Sequence, residues 1–118
     1  MSNIQVDYEA LHKNATDTER EAYEKTKKSK LRRDILHYVY HARNTPSIGY
    51  TGSELCTLLR QILNSVRARL TDLEKCGYLM KSDLRRKNAN NNNEIVYQIT
   101  PVGLVTVEAF LKDRLYDQ

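Results

Sequence analysis

Between Leu63 and Leu73, polar and small side chains alternate with an apolar stripe at helical spacing: Asn64, Ser65, Arg67, Ala68, Arg69, Thr71 and Asp72 lie opposite Leu63, Val66, Leu70 and Leu73. The planar donor fork of Arg67 or Arg69 can meet guanine O6 and N7, Asn64 can pair with adenine, and Ala68 and Thr71 can touch thymine methyls. A helix about 10 to 12 Å across fits the major groove, where those base edges are displayed. Arg67 and Arg69 stand about 200° apart around such a helix, so at most one reads a base while the other meets phosphate. Farther along, Lys81 and the run Arg85-Arg86-Lys87 precede an asparagine-rich stretch, 88–93. Cations there suit a nucleic-acid backbone or an adjacent minor groove, where arginine follows the negative potential. A solvated charged face would explain helical arginines alone; it must also explain this second cluster.

Other chemistries find less support. His37 and His41 are four apart on a helical pattern and fall away from its apolar stripe, but no Glu-x-x-His or nearby Cys completes a coordination sphere. They read as surface or partner-facing histidines, and no metal or cofactor is expected. Gly49, Gly52, Gly77 and Gly103 form no phosphate-binding loop, and no nucleophile and base are paired, so no enzymatic site is expected. Cys56 and Cys76, without a CxxC motif, read as buried thiols in a reducing compartment, with a lone bridge between them as the alternative.

The elements that would position these side chains follow from caps and spacing. Ile4, Tyr8, Leu11 and Ala15 make a short amphipathic pattern. Thr16-Asp17-Thr18-Glu19 reads as a capping box, and the helix it opens is expected to run through Lys25–Lys30 into a stripe of Leu31, Ile35, Tyr38, Val39 and Ala42, ending before Pro46. A second box, Thr51-Gly52-Ser53-Glu54, opens a helix over about 52–60 that buries Leu55, Cys56 and Leu59. The next helix spans about 63–76, with Gly77 as its left-handed exit. Residues 78–83 and 94–99 read as strands, the second alternating Ile95, Tyr97 and Ile99, with a hairpin tip over 84–93. That tip reads equally as a loop that orders on contact and as a tolerated low-complexity insertion. Thr100-Pro101 opens a last helix, 102–116, with Leu104, Val107, Leu111 and Leu115 on one side.

In order and in residues this resembles the winged helix-turn-helix family. Residues 51–79, TGSELCTLLRQILNSVRARLTDLEKCGYL, are similar to its helix-turn-helix: Leu55 and Leu59 match the positioning helix, Val66 and Leu70 the recognition helix, and Leu73 to Leu79 its Leu-x-x-x-Gly exit. Small phage and prophage winged-helix proteins look similar over about residues 30–100, including SVRARLTDLEKCGYLMKSDLRR, and Thr100-Pro101-Val102-Gly103 resembles the opening of the last helix in several bacterial regulators. The sequence departs from the pattern at Gln61 and Ile62, where the family carries an apolar residue and then a Ser or Thr cap. The resemblance implies a mainly α fold with a small β-hairpin wing, extended by N- and C-terminal helices. It also implies double-stranded DNA as partner, with Asn64, Ser65, Arg67, Ala68, Arg69, Thr71, Lys81, Arg85, Arg86 and Lys87 as contact residues.

The 118 residues and net charge of +4 fit one globular domain, with an extension over 1–29, a DNA-binding unit over 30–100 and a helix over 101–118. The charge is segmented: 27–43 and 60–87 each carry +5, set among acidic stretches. The first block, Lys27, Lys28, Lys30, Arg32 and Arg33, reads either as a set of flanking phosphate contacts or as a solvated face balanced by Glu19, Glu21 and Glu24. No apolar run is long enough to span a membrane, and Asp7 and Glu9 stand where a secretory signal would be apolar, so a cytoplasmic, nucleoid-associated location is expected, in the host cytoplasm if the source is viral. The apolar stripes of the flanking helices suit a two-fold dimer. A small transcription regulator is the expected function; a protein-interaction module binding a host factor, or an accessory protein of replication or recombination, are the competing classes. Four phosphates per subunit would give a log–log salt slope of roughly −3.6, or roughly −7 for a dimer.

Overall fold

The computed structural model describes residues 16–116; the pattern of Ile4, Tyr8, Leu11 and Ala15 lies outside them. Helix α1 (Asp17–Lys28) opens on the expected box, with Thr16 Oγ1 accepting from the Glu19 N–H and the Glu19 carboxylate accepting from the Thr16 N–H, both at 3.1 Å. It does not continue into the next apolar stripe. Ser29 is extended (φ −98°, ψ 111°), closing α1 and capping α2 (Lys30–Ala42) by accepting from the Arg32 N–H at 3.2 Å. Serine competes with the backbone for hydrogen bonds, and in a stretch with no apolar stripe to hold one straight helix that competition decides the break. The chain can then fold α1 back onto α2 and set Tyr23 against Phe110, ring centroids 5.3 Å apart.

Helix α2 is central, packed against α1, the two helices that follow, the second strand and the last helix. Being covered on several sides shifts its buried arc: Ile35, Leu36, Val39 and Ala42 are inside, while Tyr38, expected in the stripe, is 36% exposed. After the turn at Thr45–Ile48, Tyr50 pairs with Tyr97 through two backbone hydrogen bonds, 3.1 and 2.8 Å, beside the wing. The approach is close enough that a Cβ on Gly49 would sit 2.0 Å from the Tyr97 carbonyl oxygen, so only glycine fits.

The second capping box opens α3 (Gly52–Leu59), which buries Leu55 fully but Cys56 and Leu59 only in part. Arg60 takes the left-handed conformation at φ 54°, and a three-residue link, 60–62, joins α3 to α4 (Leu63–Lys75). The departure at Gln61 and Ile62 has a structural counterpart: Ile62 is the N-cap, makes no side-chain cap bond and is 70% exposed. Val66, Leu70 and Leu73 fill the core, and Gly77 at φ 80° ends the segment.

Strands β1 (Leu79–Lys87) and β2 (Asn93–Ile99) form an antiparallel hairpin. The strands run longer than expected: Leu84–Lys87 belong to β1, leaving only 88–92 as the tip. Between the pairs Lys81–Tyr97 and Arg85–Ile95, three residues of β1 face Val96 alone. Ser82 completes this bulge, donating from Oγ to the Val96 carbonyl at 2.8 Å and accepting from the Leu84 N–H at 3.1 Å. Val96 is the fully buried residue of β2, whereas Ile95, Tyr97 and Ile99 are half-buried, because both faces of the strand meet protein.

Helix α5 (Pro101–Lys112) is capped by Thr100, which accepts from the Gly103 N–H at 3.0 Å and donates to the Gly77 carbonyl at 2.5 Å. Its buried residues are Gly103, Thr106, Val107, Ala109 and Phe110; of the expected Leu104, Val107, Leu111 and Leu115, Val107 is fully buried, Leu104 and Leu115 are half-buried, and Leu111 is 38% exposed. The closest approach of the helix, Gly103 against the Tyr78 carbonyl, and the large ring of Phe110 select the inward face. Among the described residues no helix is long and apolar enough to cross a membrane.

Candidate nucleic-acid interface

The exposed face of α4 carries Asn64, Arg67, Ala68 and Thr71, with Ser65 half-buried. Arg67 and Thr71 line a cleft of about 330 Å³ closed on the other side by Asn93, Glu94, Ile95 and Tyr97 of β2. Cross-strand partners share a face of the ladder, and the register pairs Lys87 with Asn93 and Arg85 with Ile95. Arg67 lines the cleft, while Arg85 and Lys87 stand beside it on β1 as cross-strand neighbours of the lining residues Ile95 and Asn93. None of the three makes a salt bridge among the described residues, although Glu94, in the same cleft, feels the Arg67 charge. Arg85 arches back to the Ser82 and Leu84 carbonyls at 3.2 and 3.1 Å, bonds that a phosphate can replace.

Three of the expected contact residues are engaged elsewhere. Arg69 turns toward α2, its Nε 3.0 Å from Asp72 Oδ2, and the same carboxylate accepts from Arg32 Nη2 at 2.7 Å. Burial pushes the Asp72 carboxyl up, but the Arg32 hydrogen bond and the Arg69 charge more than offset it and hold it below its usual range. Lys81 lies 3.8 Å from Glu74 near the C-terminal end of α4, roughly 15 Å along the helix from Asn64 at 1.5 Å per residue. Arg86, expected at the tip, points to the opposite face of β1 and makes four bonds inside the protein. Its Nε and Nη2 donate to the Glu54 carboxylate at 2.9 and 2.8 Å, and Nη1 and Nη2 donate to the carbonyls of Ser47 and Gly49 at 3.0 and 2.6 Å.

Arg86 is half of a clamp that the sequence did not reveal. Across the hairpin, Glu94 accepts from the Ser53 N–H at 3.1 Å, from the Ser53 hydroxyl, and from Asn88 Nδ2 at 2.6 Å. Both strands are therefore fastened to the first turn of α3, which fixes the wing relative to the helix-turn-helix. Burial raises the carboxyls of Glu54 and Glu94, but the bonds from Arg86 and Thr51 to the first, and from Ser53 and Asn88 to the second, bring both below the ordinary value. The capping box flagged Glu54 for one partner; its second partner is 32 positions away and left no local signal.

The first basic block is also partly spent internally. Lys30 pairs with Asp34 at 2.5 Å, Arg32 with Asp72, and Arg33 Nη1 donates to the Lys27 carbonyl at 2.5 Å. Lys28 remains exposed.

No family model matches the sequence. No curated protein matches it either. Solved structures do match. A Staphylococcus aureus MepR–DNA complex superposes with a TM-score of 0.57 at 20% identity, covering 83% of this chain and 72% of that one. MepR, a transcription regulator of the S. aureus multidrug efflux pump MepA, gives 0.56 at 19% identity over 93% and 79% of the two chains. The MarR family transcription regulator SP03579 gives 0.55 at 20% identity over 93% and 67%. The fold is a winged helix. At these identities the similarity is one of architecture, and in this winged helix α3 and α4 are the helix-turn-helix, the hairpin is the wing, and α1 and α5 are the flanking helices.

Proposed function

We propose that this winged helix binds double-stranded DNA as a small transcription regulator. Helix α4 lies in the major groove, with Asn64, Ser65, Arg67, Ala68 and Thr71 toward base edges, and Arg85 and Lys87 of the wing meet the backbone or the adjacent minor groove. The observation that carries this reading is the setting of Arg67 in a cleft beside the polar face of α4, with Arg85 and Lys87 on the adjoining strand and none of the three in a salt bridge among the described residues. Arg85 and Lys87 stand exposed on the wing in no salt bridge among the described residues, a setting that suits a polyanion better than a neutral protein partner. The uncapped first turn of α4 adds backbone N–H groups to the same side, a favourable setting for phosphate.

Residues 30–100 form the DNA-binding unit in this proposal, with 1–29 and 101–118 as its flanks. The exposed Val102 and Leu111 of α5 support a dimer through the flanking helices on a two-fold site. The protein acts by binding rather than by catalysis, in the cytoplasm where its DNA is. Selection of duplexes from a random pool at two salt concentrations tests the reading. A recovered motif, two-fold if the dimer forms, is the expected result; recovery of no motif at either salt refutes it.

A further inference from the structure

On the far side of α2 from the clamp, His37 and His41 bring their Nε2 atoms to 2.9 Å. The rings meet edge to face with centroids 4.4 Å apart. His37 is held from behind by Tyr116, stacked at 4.1 Å and 12°, whose hydroxyl donates to the Arg33 carbonyl at 3.0 Å. Both histidines open onto a cavity of about 510 Å³ floored by Leu58 and Leu59 of α3.

That separation has a coordination meaning. Imidazole nitrogens bind late first-row cations at about 2.0 to 2.1 Å, so two nitrogens at right angles on one metal stand about 2.9 Å apart. The pair needs no change of ring position to become a cis chelate. We propose that His37 and His41 form a two-nitrogen site for a late first-row divalent cation, with Cu²⁺ held most strongly and Ni²⁺ and Zn²⁺ more weakly. Among the described residues no third His, Cys, Asp or Glu completes a protein-only cluster, so water fills the other positions. The cavity has room, since a water occupies about 30 Å³. Asp34 lines the same cavity, tied to Lys30, and supplies a negative charge near the cation without being a ligand.

A cation that binds only the folded chain shifts the folding equilibrium by about a hundredfold when its free concentration is a hundred times Kd. The test uses full-length protein without a histidine tag, titrated with CuCl₂ in competition with a chromophoric chelator, and with the thermal midpoint followed in parallel. Wild type is expected to take one equivalent and to melt higher with Cu²⁺. His41→Gln, at an exposed position, and His37→Gln are each expected to weaken binding at least tenfold and to abolish the rise in midpoint. His12→Gln, a control for the third histidine, is expected to change neither. Circular dichroism checks that each variant is folded, and should His37→Gln fail that check, the exposed His41→Gln decides alone. Equal affinity in wild type and His41→Gln, or no binding by wild type below millimolar Cu²⁺, overturns the proposal.

Discussion

Replacing Arg86 by alanine separates the two roles open to a wing arginine, structural clamp and phosphate contact. In the clamp, the change removes two bonds to the Glu54 carboxylate and two to the carbonyls of Ser47 and Gly49. Hydrogen bonds to charged groups contribute about 1.5 to 3 kcal/mol each when shielded. Here the two side chains are 31% and 37% exposed, so solvent screens much of the pair and water can take up the freed carbonyls. Discounted for that screening, the total loss is about 2 to 3 kcal/mol. Urea unfolding near neutral pH should show the midpoint lowered by roughly 1 to 2 M with the slope unchanged. Arg86→Lys keeps the charge but not the fork and should lose about half as much stability. A double-mutant cycle with Glu54→Gln is expected to give a coupling of about 1 kcal/mol. The salt dependence of DNA binding should be the same for wild type and both variants. A stability loss below about 0.5 kcal/mol, combined with a salt slope reduced by about one, would show that Arg86 spends its charge on phosphate and that the clamp reasoning fails.

Three further outcomes are expected. Phe110→Ala empties the centre of the core and should destabilise by about 3 to 5 kcal/mol in denaturant unfolding, while Leu111→Ala, on the exposed side of α5, should cost under about 1 kcal/mol in the monomer. Gly49→Ala forces a methyl onto the Tyr97 carbonyl and should destabilise the fold more than Gly77→Ala, whose added methyl meets only the strain of its positive φ; equal midpoints would contradict the close approach. Asp72, Glu54 and Glu94 are held below ordinary values of 3.8, 4.5 and 4.5, so they stabilise the fold above those values, and that contribution is lost as pH falls through them to the depressed values of the folded protein. Glu94→Gln should shrink that acid-limb loss in a pH series of unfolding measurements, and an unchanged limb would count against the assigned bonds.

The helices were legible because their signals are local. Both capping boxes, the Gly77 exit and the Thr100-Pro101 start act within four residues, and each sits where its spacing placed it. What sequence missed depends on distant partners. The break that Ser29 makes locally is held by α1 packing back on α2, and the inward face of α5 is set by Phe110 and the approach of Gly103 to Tyr78; neither packing is revealed by the spacing of apolar residues. The contact set narrowed for the same reason. Arg69 and Arg86 look like Arg67 in one dimension, but Asp72 and Glu54 claim them in three. The tip shortened because Leu84–Lys87 gain strand partners across a bulge that Ser82 completes.

With Arg86 used internally, two to three phosphates per subunit remain for Arg85, Lys87 and Arg67, and the expected log–log salt slope falls to roughly −1.8 to −2.7. The most direct measurement is therefore the affinity of wild type and Arg67→Ala for a selected duplex and for a scrambled one, at 50 and 200 mM salt. Wild type should prefer the selected duplex and lose roughly 10- to 40-fold per subunit between the two salts, and Arg67→Ala should erase most of the preference. Equal affinity for both duplexes, or binding indifferent to both salt and Arg67, would contradict DNA recognition by this face.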